Sequence, residues 1–475
     1  MKKIMIIMLT LFPLLLMALT LEEAIDNALA NNHALRQERA EIEVYDQKYY
    51  AARGMLLPQL SLVGQYSLSR TVLPESAIPQ LPSVKDDLAA EPANMTVSEA
   101  VIWENQQTIA DYLDGSMQSL VPDSVMKEGS LAGGLQLNQV LFAGGKLLSG
   151  IKIADRVRNM QKDKCSLKIQ DVIYETTRLY YGVKLAGDVV DIQREALKVA
   201  GEHLDDVTEM FAQGLVSEYD NLRAELEYRR LEPEVLQAEY DLALAEENFC
   251  NYIGYGLPED LELETEFILP ELEDSQLDDA LQEGIEQRIE VQLSELNIRI
   301  QEVLVKMEKA DFYPRVGLSA SYNFYTAADE YDIQGDDFGT MASIGLGFEL
   351  PLFTGLTRIS EVREAQAKVS KAKEADADLQ ELIRLDIRNA WQKLEHSRKT
   401  LQVQENNVAL AGRGYEIAQA RYASSQGTEL EIADAILMQQ QARLSYSKAV
   451  YDVILAQIYY EKSLGRELDK KGELR

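Results

Sequence analysis

Histidine, cysteine and proline are scarce in this chain: three, two and twelve among 475 residues. Two cysteines far apart in sequence make no disulfide framework, and with three scattered histidines they make no zinc-ligand spacing. No metal or cofactor is therefore expected. No nucleophile–base pair or phosphate-binding loop stands out either, so an enzyme is not expected. Basic residues are also few, 47 against 79 acidic ones, for a net charge of −32. Such a chain is a poor nucleic-acid binder, because phosphate neutralisation needs clustered Lys and Arg. Aromatics are held to 7%, while Ala, Leu, Glu and Gln abound, a mixture that favours long helices over a packed α/β enzyme.

Long apolar runs are missing too, with one exception. Met1-Lys2-Lys3 precedes the run Ile4 to Leu19, broken only by Thr10 and Pro13. A basic start before a short apolar core reads as a signal peptide over residues 1–18. The run is too short to span comfortably and has no basic flank after it. Ala18 suits the end of the signal, and no cysteine lies nearby for lipid attachment. The exported chain is then either soluble outside the cytoplasm or a β-barrel.

What the chain does have is an internal duplication. Leu21-Glu22-Glu23-Ala24-Ile25 is answered by Leu277-Asp278-Asp279-Ala280-Leu281, and the same shift of 256 residues carries Pro58 onto Pro314 and Tyr66 onto Tyr322. Further on the shift is 211, laying Phe142-Ala143-Gly144 on Phe353-Thr354-Gly355 and Ile253-Gly254 on Leu464-Gly465. Self-similarity over this length marks two copies of one plan. We place the first repeat at 19–256, an acidic connector at 257–276 and the second repeat at 277–475. The change of shift leaves about 45 extra residues in the first copy. They fall in the Pro-rich, acidic stretch 73–129, expected to be a long external loop with little regular structure.

Each copy is expected to run helix, two strands, long helical hairpin. In the first, the helix covers 21–56, the strands about 58–72 and 130–141, and the hairpin 143–254. In the second, the helix covers 277–311, the strands about 315–326 and 340–351, and the hairpin 355–465, followed by a short tail. The strand signal is alternation: Leu60, Leu62, Tyr66 and Leu68 against Ser61, Gln65, Ser67 and Ser69, or Ile344, Leu346 and Phe348 against Gly345, Gly347 and Glu349. About ten residues of period two suit a tilted membrane strand, and equally a half-buried strand of a soluble sheet. The helical signal is stronger. Proline is absent from 354–475, and apolar residues recur at sevenths: Val362, Val369, then Ile387, Leu394, Leu401 and Val408. That is a coiled-coil seam. About 65 helical residues before each turn would span roughly 100 Å. Four membrane strands cannot close alone, and an open edge in lipid strands unpaired backbone groups. Two copies would give eight strands; three would give twelve and a lumen.

The ordered motifs Leu57-Pro-Gln-Leu60, Gln139-Val-Leu-Phe-Ala-Gly-Gly145, Leu350-Pro-Leu-Phe-Thr-Gly355, Phe211-Ala-Gln-Gly-Leu-Val-Ser217, Arg421-Tyr422 and Leu430-Glu-Ile-Ala-Asp-Ala435 carry a resemblance to the TolC-type outer-membrane efflux proteins. The resemblance covers essentially the whole mature chain. It implies a mainly α fold with a membrane β-barrel: a homotrimer whose twelve strands form a barrel in outer-membrane lipid, continued by a helical periplasmic tunnel. It also implies the partners, a periplasmic adaptor and an inner-membrane transporter, and a passive role as exit duct for an efflux pump or type I secretion system.

Site residues follow from the same resemblance. The hairpins turn near Gly214 and near Ser425-Gln426-Gly427, where glycine allows a tight turn. The family's two acidic constriction positions fall on Glu431 and Asp434, its gate tyrosine on Tyr422 and the tyrosine's aspartate partner on Asp220. Gly214, Leu215, Val216 and Ser217 match the adaptor-contact element. The family's second closing link, arginine to threonine, falls on Gly427 and Tyr219, so this chain departs there. Read without the resemblance, Glu431 and Asp434 are a solvated i, i+3 pair, Tyr422 packs at a helix end, and 214–217 is a turn with a hydrophobic staple. Cys165 and Cys250 are about 20 Å out of register along the hairpin, too far for a bridge. His33, His203 and His396 are expected at the surface. A coiled-coil periplasmic adaptor, or a surface scaffold without a pore, is the competing class. An adaptor usually has one hairpin between compact β domains, whereas this chain has two and amphipathic strands.

Overall fold

The computed structural model describes residues 19–72, 74, 83–84, 97–118, 125–256, 261, 263, 277–329, 338–424 and 426–466. The signal peptide, nearly all of the connector, the C-terminal tail and much of the 73–129 loop lie outside the described residues. The chain divides into two compact units, one of residues 52–147 and 309–358, the other of 1–51, 148–308 and 359–475.

The first unit is a four-stranded antiparallel sheet, β1 (Gln59–Val72), β2 (Val125–Ala143), β3 (Arg315–Asp329) and β4 (Gly339–Glu349), in the order β1-β2-β3-β4. Its register gathers the alternating residues onto opposite faces. Leu62, Leu135, Tyr322 and Ala342 lie in one cross-strand row, and Leu60, Leu137, Ala320 and Ile344 in another. Between them runs a polar row of Ser61, Gln136, Ser321 and Ser343. The polar face bonds to itself, Ser67 to Ser130 at 2.8 Å and Ser321 to Ser343 at 2.9 Å. The apolar face is bare: Leu62 is 77% and Ile344 78% exposed. A register slip of one residue would reverse the faces, so the apolar row itself fixes the pairing. A bulge between Val140 and Phe142 shifts the register of β2 on β3, and pairing continues through Phe142–Val316 to Ala143–Arg315.

The 73–129 loop is more ordered than expected. Helix α3 (Val97–Gln118) lies within it, and β2 begins at Val125 rather than near 130. Pro92 and Pro122 bracket the helix, and Ile102, Ile109 and Leu113 repeat at helical spacing within it.

The second unit is helical. The single helix expected over 21–56 is two, α1 (Leu21–Asn31) and α2 (His33–Gly54), separated at Asn32. Asn32 has ψ 122°, its side-chain oxygen accepts from Leu35 N–H at 3.1 Å, and its amide reaches Tyr252 O at 3.4 Å. A side chain that satisfies the backbone locally competes with the helix ladder, and here it wins. The helix expected over 277–311 breaks at the equivalent position. There, α6 (Leu277–Gln287) gives way to α7 (Ile289–Ala310) at Arg288, which pairs with Glu290 and with Asp386, each at 2.7 Å.

The hairpins have unequal arms. Helices α4 (Lys146–Ala212) and α8 (Thr357–Ala423) each have 67 residues, whereas α5 (Glu218–Ile253) has 36 and α9 (Glu429–Ser463) has 35. At 1.5 Å per residue the long arms reach about 100 Å. Both short arms end on a left-handed glycine, Gly254 (φ 67°) and Gly465 (φ 75°), packed against the α1/α2 and α6/α7 breaks. One core joins Ile25 and Leu35 to Val172, Phe249, Ile253 and Ile454; a second joins Ala280 and Val291 to Ile387, Leu394, Tyr460 and Leu464. Helix α9 contributes to both, which binds the two repeats into one unit. Within a single chain the coiled-coil seam is buried only at its middle, Ile387 and Leu394, while Val362, Val369 and Val408 stay half-buried. Cys165 and Cys250 are free and buried. No helix among the described residues is long and apolar enough to cross a membrane.

Candidate functional site

The site begins with two turns. After α4, Gly214 adopts φ 71°, its N–H bonding Phe211 O and the Leu215 N–H bonding Met210 O, both at 2.9 Å. This paired ending lets a left-handed glycine cap the last carbonyls. Ser217 then opens α5: its hydroxyl accepts the Asp220 N–H at 3.2 Å, and the Asp220 carboxylate accepts from Ser217 O–H at 2.7 Å and N–H at 3.2 Å. Leu215 is not folded back as a staple; it stands 69% exposed beside half-buried Val216.

The second turn is built differently. Arg421 O accepts from both Gln426 N–H (2.8 Å) and Gly427 N–H (3.0 Å). Gly427 is not left-handed; it is needed because a Cβ there would sit 3.0 Å from Tyr422 N and 3.2 Å from the Arg421 carbonyl carbon. Thr428 caps α9, accepting Glu431 N–H at 3.3 Å, and so sets Glu431 on the first turn. Glu431 and Asp434 both line a groove of about 920 Å³ between α8 and α9, shared with Arg421, Ile417, Leu410 and Met438. They differ in charge environment. Glu431 faces Arg421 at 3.6 Å, while Asp434 is exposed and has no ion pair among the described residues.

Tyr422 sits under this turn. Its hydroxyl is buried and has no hydrogen-bond partner among the described residues. Burial, and then the charges of Glu429, Asp220 and Asp206, push its pKa up to about 12, so it stays protonated at any physiological pH. Asp220 is thus close enough to act on Tyr422, but no hydrogen bond joins them, because the Asp220 carboxylate is engaged in the α5 cap. Tyr219, at the family's threonine position, is exposed.

The residue that sequence reasoning misplaced is His203. It is not at the surface: its side chain is 13% exposed, its Nε2 lies 2.6 Å from Glu429 Oε2, and its ring meets Tyr422 edge-on at 5.3 Å. His33 and His396 are exposed as expected. The two partners of this bond are 226 residues apart, on different hairpins, and no local pattern announces it. Helices α4 and α9 run antiparallel here, with further polar links between Gln193 and Gln440 and between Asp171 and Lys462 (2.6 Å).

The arrangement holds no cluster of acids, histidines and cysteines suited to a metal among the described residues. What it offers is a pair of narrow helical turns carrying carboxylates and exposed apolar side chains. The profile of the outer membrane efflux protein family matches residues 108–255 and 280–466. The chain is 21% identical to the outer membrane efflux protein BepC of Brucella suis, over 94% of this chain and 85% of that protein. It is 22% identical to the outer membrane protein TolC of Escherichia coli, over 98% and 87% respectively. The fold matches the crystal structure of the Campylobacter jejuni CmeC outer membrane channel with a TM-score of 0.72 at 18% identity, covering 96% of this chain and 86% of that one.

Proposed function

The chain belongs to the outer membrane efflux protein family, and from that membership, which places it in the outer membrane as an efflux channel, we propose that it is a passive trimeric exit duct. The observation that carries this reading is the bare sheet. One face is apolar and exposed, the other is polar and bonded to itself, and β1 and β4 have no outer strand partner among the described residues. Lipid suits the first face and water the second, and unpaired edges in lipid demand closure by further copies. Three copies give a twelve-stranded barrel with a lumen; two would fill their own interior. The half-buried ends of the coiled-coil seam on α8 are covered by neighbouring copies in the same assembly. A scaffold or adaptor has no use for such a sheet.

In this duct the hairpin tips form the periplasmic gate, and three copies of Glu431 and Asp434 form its constriction. Tyr422 and Asp220 act on each other there through proximity and charge. Gly214, Leu215, Val216 and Ser217 meet the periplasmic adaptor, with exposed Leu215 as the apolar contact for a groove. The adaptor connects the duct to an energised inner-membrane transporter of an efflux pump or type I secretion system.

Single-channel recording in planar bilayers tests the reading. The wild type should conduct as a cation-selective pore, since a ring of carboxylates favours cations. Asp434→Asn should reduce selectivity more than Glu431→Gln, because Arg421 already offsets the Glu431 charge. Equal selectivity in the wild type and the double variant would remove the acidic constriction from this site. A trimer that inserts yet leaks no ions with the tip residues 425–428 deleted would remove the duct.

A further inference from the structure

We propose that His203 and Glu429 form the latch that holds the two hairpins of each protomer together at the tip, and that this bond must break for the duct to open. The inference rests on the duct reading above and adds to it a closing element that the family's gate positions do not supply.

The placement of the bond is the first argument. Helices α4 and α9 are zipped by polar links whose partners march in opposite directions, from Asp171–Lys462 through Gln193–Gln440 to His203–Glu429. The last of these is the one nearest both turns. Beyond it, among the described residues, no hydrogen bond or ion pair joins one hairpin to the other. The apolar contact between the hairpins at this end is small and lies behind the bond rather than beyond it, Val199 of α4 against the α8/α9 cluster of Ala418, Ile432 and Ile436.

Burial is the second argument. The Glu429 side chain is 4% exposed, and its other oxygen, Oε1, has no hydrogen-bond partner among the described residues. The histidine bond is thus the carboxylate's one side-chain partner there. Glu429 is also the first residue of α9, where the helix N-terminus favours negative charge. A carboxylate so placed is stable while paired and costly when its partner is removed, since it cannot turn to solvent without moving the helix. Tyr422 meets the histidine ring edge-on at 5.3 Å. The pair therefore behaves as a two-state element: bonded with the hairpins together, or hydrated with them apart.

Chemistry at the departure positions is the third argument. Gly427 has no side chain to bond across the tips, and Tyr219 points an exposed ring outward. In this chain the inter-hairpin bond has moved inward, to α4 and the start of α9.

The test is channel recording on the detergent-purified trimer. His203→Ala should raise the fraction of time spent open at least about tenfold, the scale set by leaving a buried carboxylate without its partner. His203→Gln keeps an N–H for Glu429 and should remain near wild type. The double variant His203→Ala/Glu429→Ala should open no more than the single one, because the two act as a unit. A complementary variant, His203→Cys/Glu429→Cys, should conduct freely until a short bis-thiol linker joins the two positions, and then close. His203→Ala with wild-type closed times, or linked trimers that conduct as unlinked ones do, would overturn the latch. The duct reading would survive either result, since it stands on the sheet and on whether the inserted protein conducts at all in the same recordings.

Discussion

Leu62→Arg should abolish stable insertion into the outer membrane, while Ser61→Arg, one residue away, should insert and assemble like the wild type. The contrast follows from the sheet. Leu62 stands in the apolar row with Leu135, Tyr322 and Ala342, and Ser61 in the polar row with Gln136, Ser321 and Ser343. In the single chain Leu62 is 77% exposed and Ser61 is exposed as well, so neither arginine disturbs a core. An arginine at mid-depth on a lipid-facing strand costs about 2–4 kcal/mol, and the proposed trimer carries three. In a lumen the same charge is solvated and costs little. Membrane fractionation and the yield of detergent-stable trimer read the result, with far-UV circular dichroism confirming an intact helical unit. Equal insertion of both variants would show that the apolar face does not meet lipid. Failure of both would point instead to a sheet packed within a soluble assembly.

How much of this was legible in the sequence depends on the range of the interactions. The sheet was readable because alternation of Leu60, Leu62 and Tyr66 is a local pattern that directly encodes which face is apolar. The long arms were readable because proline is absent and the sevenfold seam is local too. The breaks at Asn32 and Arg288 were not. Asn32 breaks its helix through a local bond, its side chain accepting from Leu35 N–H, which the apolar pattern did not show, whereas Arg288 is held partly by Asp386, a partner that only the fold brings. Helix α3 was hidden by the proline and acid content of the loop around it. At the tips, the turn at Gly214 could be read from its glycine, but the role of Gly427 is close approach, which no single sequence reveals. The His203–Glu429 bond needed the packing of α4 on α9, whereas the capture of Asp220 is a local i, i+3 cap with Ser217. Charge patterns told where acids occur, while burial decided which of them count.

The duplication yields a second large effect. Gly465→Ala should destabilise the helical unit by about 3 kcal/mol, Gly254→Ala by somewhat less, and Gly214→Ala by only about 1 kcal/mol. All three glycines are left-handed, with φ of 75°, 67° and 71°, so an added Cβ pays the same backbone penalty at each. Surroundings make the difference. At Gly214 nothing lies within 4 Å of the Cβ position. At Gly254 it would come 2.5 Å from Asn31 Cβ, and at Gly465 2.9 Å from Arg288 N and 3.0 Å from Arg288 Cα. At Gly254 the atom met is a side-chain carbon, whereas at Gly465 it is backbone. Arg288 has less freedom: Glu290 and Asp386 grip its guanidinium, and Asp386 in turn accepts from Tyr459 O–H at 2.7 Å on the same helix that ends at Gly465. A shift of that backbone would loosen a half-buried charge network as well as the contact. Denaturant titration of the purified protein, followed by circular dichroism at the helical band, measures the three losses side by side. Equal losses at the three positions would mean that backbone conformation alone explains these glycines and that the packed break between α6 and α7 contributes nothing.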